Sequence, residues 1–188
     1  MGAAIFGAPL IAEELKVPEG VVIVNNPGVD EENYSRNFTP QPRLEDDHMK
    51  LTLQSASLVV DKALAKARES KFRPICVAVL DEGGHLKVMK REDGASILRP
   101  QIAVGKAWGA IGMGESSRQL GERLKERPAF LGALSTMSDG KVVPVAGGVL
   151  IIDGNEIIGA VGVSGGTSDE DETCAIAGIQ AAGLAYKA

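Results

Sequence analysis

Near the C-terminus the chain reads Gly162-Val-Ser164-Gly165-Gly166-Thr167, followed by Ser168-Asp169-Glu170-Asp171-Glu172. A glycine-rich turn that opens a helix exposes backbone N–H groups beside the positive end of the helix dipole. Such a place takes carboxylates or phosphates. Ser164, Gly165, Gly166 and Thr167 are therefore candidate contacts for a small anionic ligand. The run also satisfies the G-x-S-x-G pattern of a nucleophile elbow. A hydrolase of that kind needs a base as well, and its fold places the histidine after the serine, whereas His48 and His85 both precede Ser164. The plainer reading is a turn that starts a helix. Thr167 with Glu170, or Ser168 with Asp171, forms a capping-box pattern. The other use of these acids is a carboxylate pair for proton exchange or iron.

Lys106 interrupts a helix face that is otherwise small and apolar. A buried lysine must be paired or lose its charge; a peripheral one lays its stem along the surface. Arg99 lies about two turns earlier on a similar side and is either an anion clamp or a surface residue. Lys106, Arg99 and Asp171 are the catalytic set if the chain is an enzyme. His48, among acids in Glu45-Asp-Asp-His48-Met49, and His85, directly after a turn, are the candidate metal ligands. A solvated acidic patch and an exposed strand end are the competing readings. Cys76 and Cys174 sit in apolar settings without a CxxC, so we expect buried, reduced thiols. Met89 and Met113 are assigned to the core.

These residues must be positioned by regular elements. Residues 1–50 carry Pro18, Pro27, Pro40 and Pro42, and only Val21–Val24 resembles a strand, so we read an N-terminal arm. Residues 51–188 form the domain. Leu53, Ala56, Val60, Ala63, Leu64 and Ala67 follow helical spacing, with Thr52 as cap. Arg73–Leu80 and His85–Arg91 make a hairpin around Asp81-Glu-Gly-Gly84. Ser96 is expected to cap a helix running to about Gly112, in which Gly105 and Gly109 imply close approach of another backbone or a ligand. Ser116 with Gln119 starts a second helix and Pro128 a third. Val142–Ile152 and Glu156–Ser164 make a second hairpin, with Val149–Ile152 covered on both faces, and a last helix is expected from Ser168 to about Tyr186. The order predicts an α+β, three-layer domain: an antiparallel sheet from two hairpins with helices on both faces.

Composition closes several options. The net charge is −5 and no basic cluster appears, which argues against a nucleic-acid partner. No apolar run reaches the ~18 residues of a membrane span. Met1–Leu10 lacks the positive flank of a signal peptide, and Phe6 replaces the hydroxyl residue of a myristoylation motif, so the expected location is cytoplasmic. The smooth helix faces and the arm both want partners, which predicts a homo-oligomer.

Ala78-Val-Leu-Asp81-Glu-Gly-Gly84, Ala103-Val-Gly-Lys106-Ala107, Gly147-Gly148-Val149 and Gly159-Ala-Val-Gly-Val-Ser-Gly-Gly-Thr167 with Asp171-Glu172 occur in the order of the GlcG/HbpS-like haem-binding family. Over about residues 50–186 the chain resembles that family, which also supplies the C-terminal domain of PduO-type corrinoid adenosyltransferases. The resemblance implies a profilin-like fold, oligomerisation and, in several members, haem or iron binding. It adds Gly147 and Gly148 to the ligand-site candidates and does not carry adenosyl transfer. Any haem would be non-covalent, since no C-x-x-C-H occurs. The leading expectation is a domain that binds haem or a similar planar or anionic molecule. The alternatives are an enzyme of lyase, isomerase or hydrolase type acting on a small organic acid or ring compound, and a structural assembly subunit.

Overall fold

The computed structural model describes residues 51–188. The arm, with Val21–Val24 and His48, lies outside the described residues. In chain order the elements are α1 (Leu53–Glu69), β1 (Cys76–Asp81), β2 (Leu86–Arg91), α2 (Arg99–Met113), α3 (Ser117–Leu124), α4 (Pro128–Met137), β3 (Gly148–Asp153), β4 (Glu156–Ser164), α5 (Ser168–Ala181) and β5 (Ala185–Lys187). The strands form one antiparallel sheet in the order β2-β1-β4-β3-β5. Helices α1 and α5 pack on one face and α2 on the other. The three-layer α+β arrangement expected from the sequence is the one observed.

The two faces of the sheet differ in chemistry. Strand residues alternate between faces. Val77, Val79, Val149, Ile151, Val161 and Val163 point toward α1 and α5, where they form the main core with Val59, Val60 and Ile179. Their neighbours Ala78, Gly148, Ala160 and Gly162 face α2, with Leu80 and Leu150. Small side chains let α2 lie almost on the strands. A Cβ at Gly162 would stand 1.8 Å from the Ala103 carbonyl oxygen. Inside α2, Gly105 is required because a Cβ there would meet the Val143 side chain at 2.6 Å and the Lys141 carbonyl at 2.7 Å. The approaching backbone inferred from the sequence is thus segment 141–143.

Three boundaries differ from expectation. Helix α2 starts at Arg99 with Leu98 as its N-cap and no side-chain cap, so Ser96 does not cap it. Pro100 sets the start instead, because a proline is pre-organised for the first helical turn. Strand β3 begins only at Gly148, since Val142–Val145 contains Pro144 and is drawn onto α2 by the Val143 N–H bond to the Gly105 carbonyl. Helix α5 ends at Ala181 rather than near Tyr186. Gly183, at φ +73°, stops it, the Leu184 N–H closes back on the Ile179 carbonyl, and β5 then pairs with β3 as a fifth strand. Met89 lies on the edge strand and is 40% exposed, not in the core. The hydroxyl caps of Thr52, Ser116 and Thr167 are all formed, and Pro128 opens α4.

Candidate ligand site

Nine of the residues singled out above, Arg99, Lys106, Gly147, Gly148, the run 164–167 and Asp171, meet at one end of the sheet, where β4 ends at Ser164 and β3 begins at Gly148. Lys106, in mid-α2, extends past the start of β3 and reaches the first turn of α5 on the opposite side of the sheet. Its Nζ donates to Asp171 Oδ2 at 2.7 Å and to the Val163 carbonyl at 2.9 Å. Both side chains are 3% exposed. The other carboxylate oxygen, Oδ1, accepts from the Gly166 N–H at 2.9 Å. Burial pushes the Lys106 ammonium below the ordinary lysine range, and Arg99 adds to that push, while Asp171 and Glu172 pull it back up. The pair ties the two helical layers together around the strand ends.

Gly147 and Gly148 explain how this is possible. At Gly147, φ is +119°, and a Cβ would stand 2.8 Å from Lys106 Nζ and 2.9 Å from Asp171 Cβ. At Gly148 it would stand 2.4 Å from the Lys106 carbonyl oxygen. These glycines make room for the lysine and for its helix.

The turn at 164–167 is largely committed to its own helix. Thr167 and Glu170 form the full capping box, with the Thr167 N–H donating to Glu170 Oε2 at 2.7 Å. Gly166 serves Asp171, and Gly165 packs against Pro74 and Ile75. Ser164 is different. Its hydroxyl is buried and receives the Arg99 guanidinium at 3.4 Å. Arg91 arrives on the same side, because it stands opposite Cys76, which in turn stands opposite Ser164. Burial pushes the Cys76 thiol up to about 11, although Arg91 opposes the shift. Cys174 is likewise buried, free and pushed up to about 11 by burial, so neither cysteine supplies a thiolate.

His85 lies elsewhere. It follows the β1–β2 turn at the far end of β1, about 17 Å along the strand from Cys76. Its side chain is 82% exposed, with Nδ1 3.3 Å from Asp81 Oδ1. Among the described residues no group of three or more His, Cys, Asp or Glu is placed to hold a metal ion. Two contributors were not legible in the sequence. Ser117 Oγ accepts from the Gly148 N–H at 2.7 Å and donates to the Val145 carbonyl at 2.7 Å, pinning the start of β3. Arg118 bridges Glu172 at 2.8 Å and Asp169 at 2.5 Å. Both depend on α3 meeting α5 and β3 in space, and no spacing encodes that.

The geometry matches a known group of proteins. The family described as haem degrading protein HbpS-like matches residues 51–180. The chain belongs to the HbpS-like family. It is 30% identical over 125 residues to a 15.0 kDa protein encoded in the dhaT–dhaS intergenic region of Citrobacter freundii, covering 66% of this chain and 87% of that one. It is 32% identical over 115 residues to the protein GlcG of Escherichia coli K12, covering 61% and 81%. It spans only 39% of the corrinoid adenosyltransferase PduO of Citrobacter freundii, at 29% identity over 133 residues and 71% of this chain. Among solved structures, the PduOC:heme complex superposes with a TM-score of 0.67 at 26% identity, covering 74% of this chain and all of that one. The family and the fold inferred from the motif order are therefore those found. No helix among the described residues is long and apolar enough to cross a membrane.

Proposed function

We propose that this HbpS-like domain binds a small planar, anionic ligand at the α2 side of the sheet end, with haem as the first ligand to test. One observation carries the reading. Helix α2 sends two cations to this end of the sheet: Lys106 is neutralised by Asp171, and Arg99 donates to the buried Ser164 hydroxyl. Arg99 has no carboxylate partner among the described residues, and neither has Arg91. Surplus guanidinium groups beside a buried hydroxyl suit carboxylates.

Apolar surface stands on the same side. Met89 pairs with Ala78, which faces α2, and Ile97 and Leu98 just before α2 are 79% and 62% exposed. A flat hydrocarbon body with two carboxylates fits such a combination, so the residues present fit the propionate edge of haem. Arg99 and Arg91 would hold the propionates. Bound haem would supply an iron centre and a visible chromophore. The haem in the PduOC complex supports the choice of ligand, and an oligomer would cover the exposed apolar side chains that the monomer leaves open.

The test is a haem titration of the full chain, followed in the Soret region. Saturable binding is expected, weakened at least tenfold in Arg99→Ala, since a hydrogen bond to a charged group contributes about 1.5–3 kcal/mol. Unchanged affinity in that variant would reject the site. Sedimentation velocity at micromolar concentration should show an assembly larger than a monomer.

A further inference from the structure

At the other end of α2 lies a second space. Trp108, Gly109, Gly112 and Met113 of α2 face Leu134 and Met137 of α4, and the cleft between them has a volume of about 120 Å³. Ser138 and Val142 complete its lining. Arg99 and Gly112 stand at opposite ends of α2, about 20 Å apart at the helical rise, so this cleft is separate from the proposed anion site.

The glycines of α2 do not all have the same reason to be there. Gly105 is forced by segment 141–143. Gly109 is snug, with Val142 Cγ1 at 3.3 Å and Leu120 Cδ2 at 3.6 Å from the place of a Cβ. Gly112 is neither. The nearest atom to its missing Cβ is Trp108 Cζ3 at 4.0 Å, and its φ is not positive. Glycine is the poorest helix former except proline. At Gly112 neither backbone geometry nor packing asks for it, and its effect is to keep the cleft open. Helix α4 points the same way. It is apolar in sequence yet has no fully buried residue, and it gives Leu134 and Met137 to the lining of the cleft.

We propose that this cleft is a binding site for a small molecule carrying a single aromatic ring. The volume is close to the ~150 Å³ of an apolar cavity that accepts benzene. An indole face and the thioethers of Met113 and Met137 are the groups that an aromatic ring packs against well, and methionine adapts its shape to such guests. Haem is far too large for it.

Trp108 is the chain's one tryptophan, so its fluorescence reports on the cleft directly. The full chain is titrated with toluene, exciting the indole at wavelengths that toluene does not absorb. A saturable change in emission is expected, and Gly112→Leu, whose side chain would occupy the cleft beside Trp108, should weaken it at least tenfold while circular dichroism stays native. A non-saturable wild-type response overturns the proposal, as it would if residues 1–50 or a second copy already fill the space. An equal response in Gly112→Leu overturns it too. Should that variant misfold, Met137→Ala decides: the residue is 81% exposed and does not hold the fold. At least threefold weaker toluene binding is expected there, and unchanged affinity overturns the site.

Discussion

The two ends of the sheet each carry a basic side chain beside an aspartate, and they could hardly differ more. Lys106 and Asp171 are 3% exposed, and every oxygen of the carboxylate is used inside the protein. His85 and Asp81 are 82% and 23% exposed, and Asp81 mainly accepts from the Gly83 and His85 amides, shaping the turn. The difference lies in the surroundings. Around Lys106, three neighbouring strand ends meet two helices, and glycines remove the side chains that would keep them apart. Around His85 a turn projects into water. Removing water makes a pair indispensable without making it a net source of stability, because desolvation offsets most of the attraction. An exposed pair contributes little either way.

The largest effect expected from this contrast is that of Asp171→Ala. It leaves the Lys106 charge buried and alone, and chemical denaturation should show a loss of about 3–5 kcal/mol. Adding Lys106→Met to make the double variant should recover most of that loss. If the double variant is as unstable as the single one, the damage comes from the Gly166 contact and not from the stranded charge. Gly148→Ala comes next. Its Cβ would meet the Lys106 carbonyl oxygen at 2.4 Å, and overpacking of this kind costs about 1–3 kcal/mol, readable as a lowered melting temperature.

The pH response sharpens the comparison further. Lys106 titrates below the usual 10.5 in the folded protein, chiefly through burial. Between its folded value and 10.5 the unfolded chain binds more protons, so stability should rise with pH across that interval and level off above it. In Asp171→Ala the rise should begin at lower pH. At the other end the sign is opposite. Burial pushes the Asp81 carboxyl up, but the His85 and Gly83 amides and the His85 charge outweigh it and hold it below 3.8. Its contribution is present above that value and fades as pH falls further. Denaturation curves taken through acid and alkali separate the two. The smallest effect belongs to His85→Ala, which should change stability by less than about 1 kcal/mol; a larger loss would mean that this pair is less exposed in the assembled protein.

Much of the fold could be read from the chain because its signals are local. The caps at Thr52, Ser116 and Thr167 and the proline at 128 each act within a few residues, and each was found where expected. Two of the strand errors have their origin in tertiary contacts. Val142–Val145 has strand composition but is captured by Gly105, and Ala185–Lys187 looks like a helix end until β3 offers it hydrogen bonds. The site was legible in part. Lys106, Arg99, Ser164 and Asp171 stand out because a charge among alanines and glycines needs an explanation. That Lys106 and Asp171 would meet each other, and that Arg118 would hold Glu172, required knowing that α2, α3 and α5 converge. The glycine turn shows the limit of a motif: its pattern suggests free amides, yet Gly166 and Thr167 give theirs to Asp171 and Glu170.

Strand β5 carries a consequence for the birth of the protein. Among the described residues it is the one strand that covers the outer edge of β3, whose Val149–Ile151 run is entirely apolar and buried. The ribosome delivers β3 before β5, with β4 and α5 in between, so for an interval the nascent chain offers an open apolar strand to any neighbour able to pair with it. The three residues Ala185–Lys187 end that exposure. Their contribution should therefore be felt more in the yield of soluble protein from a living cell than in the melting temperature of the purified one. A chain stopped after Leu184 and compared in both assays would show it.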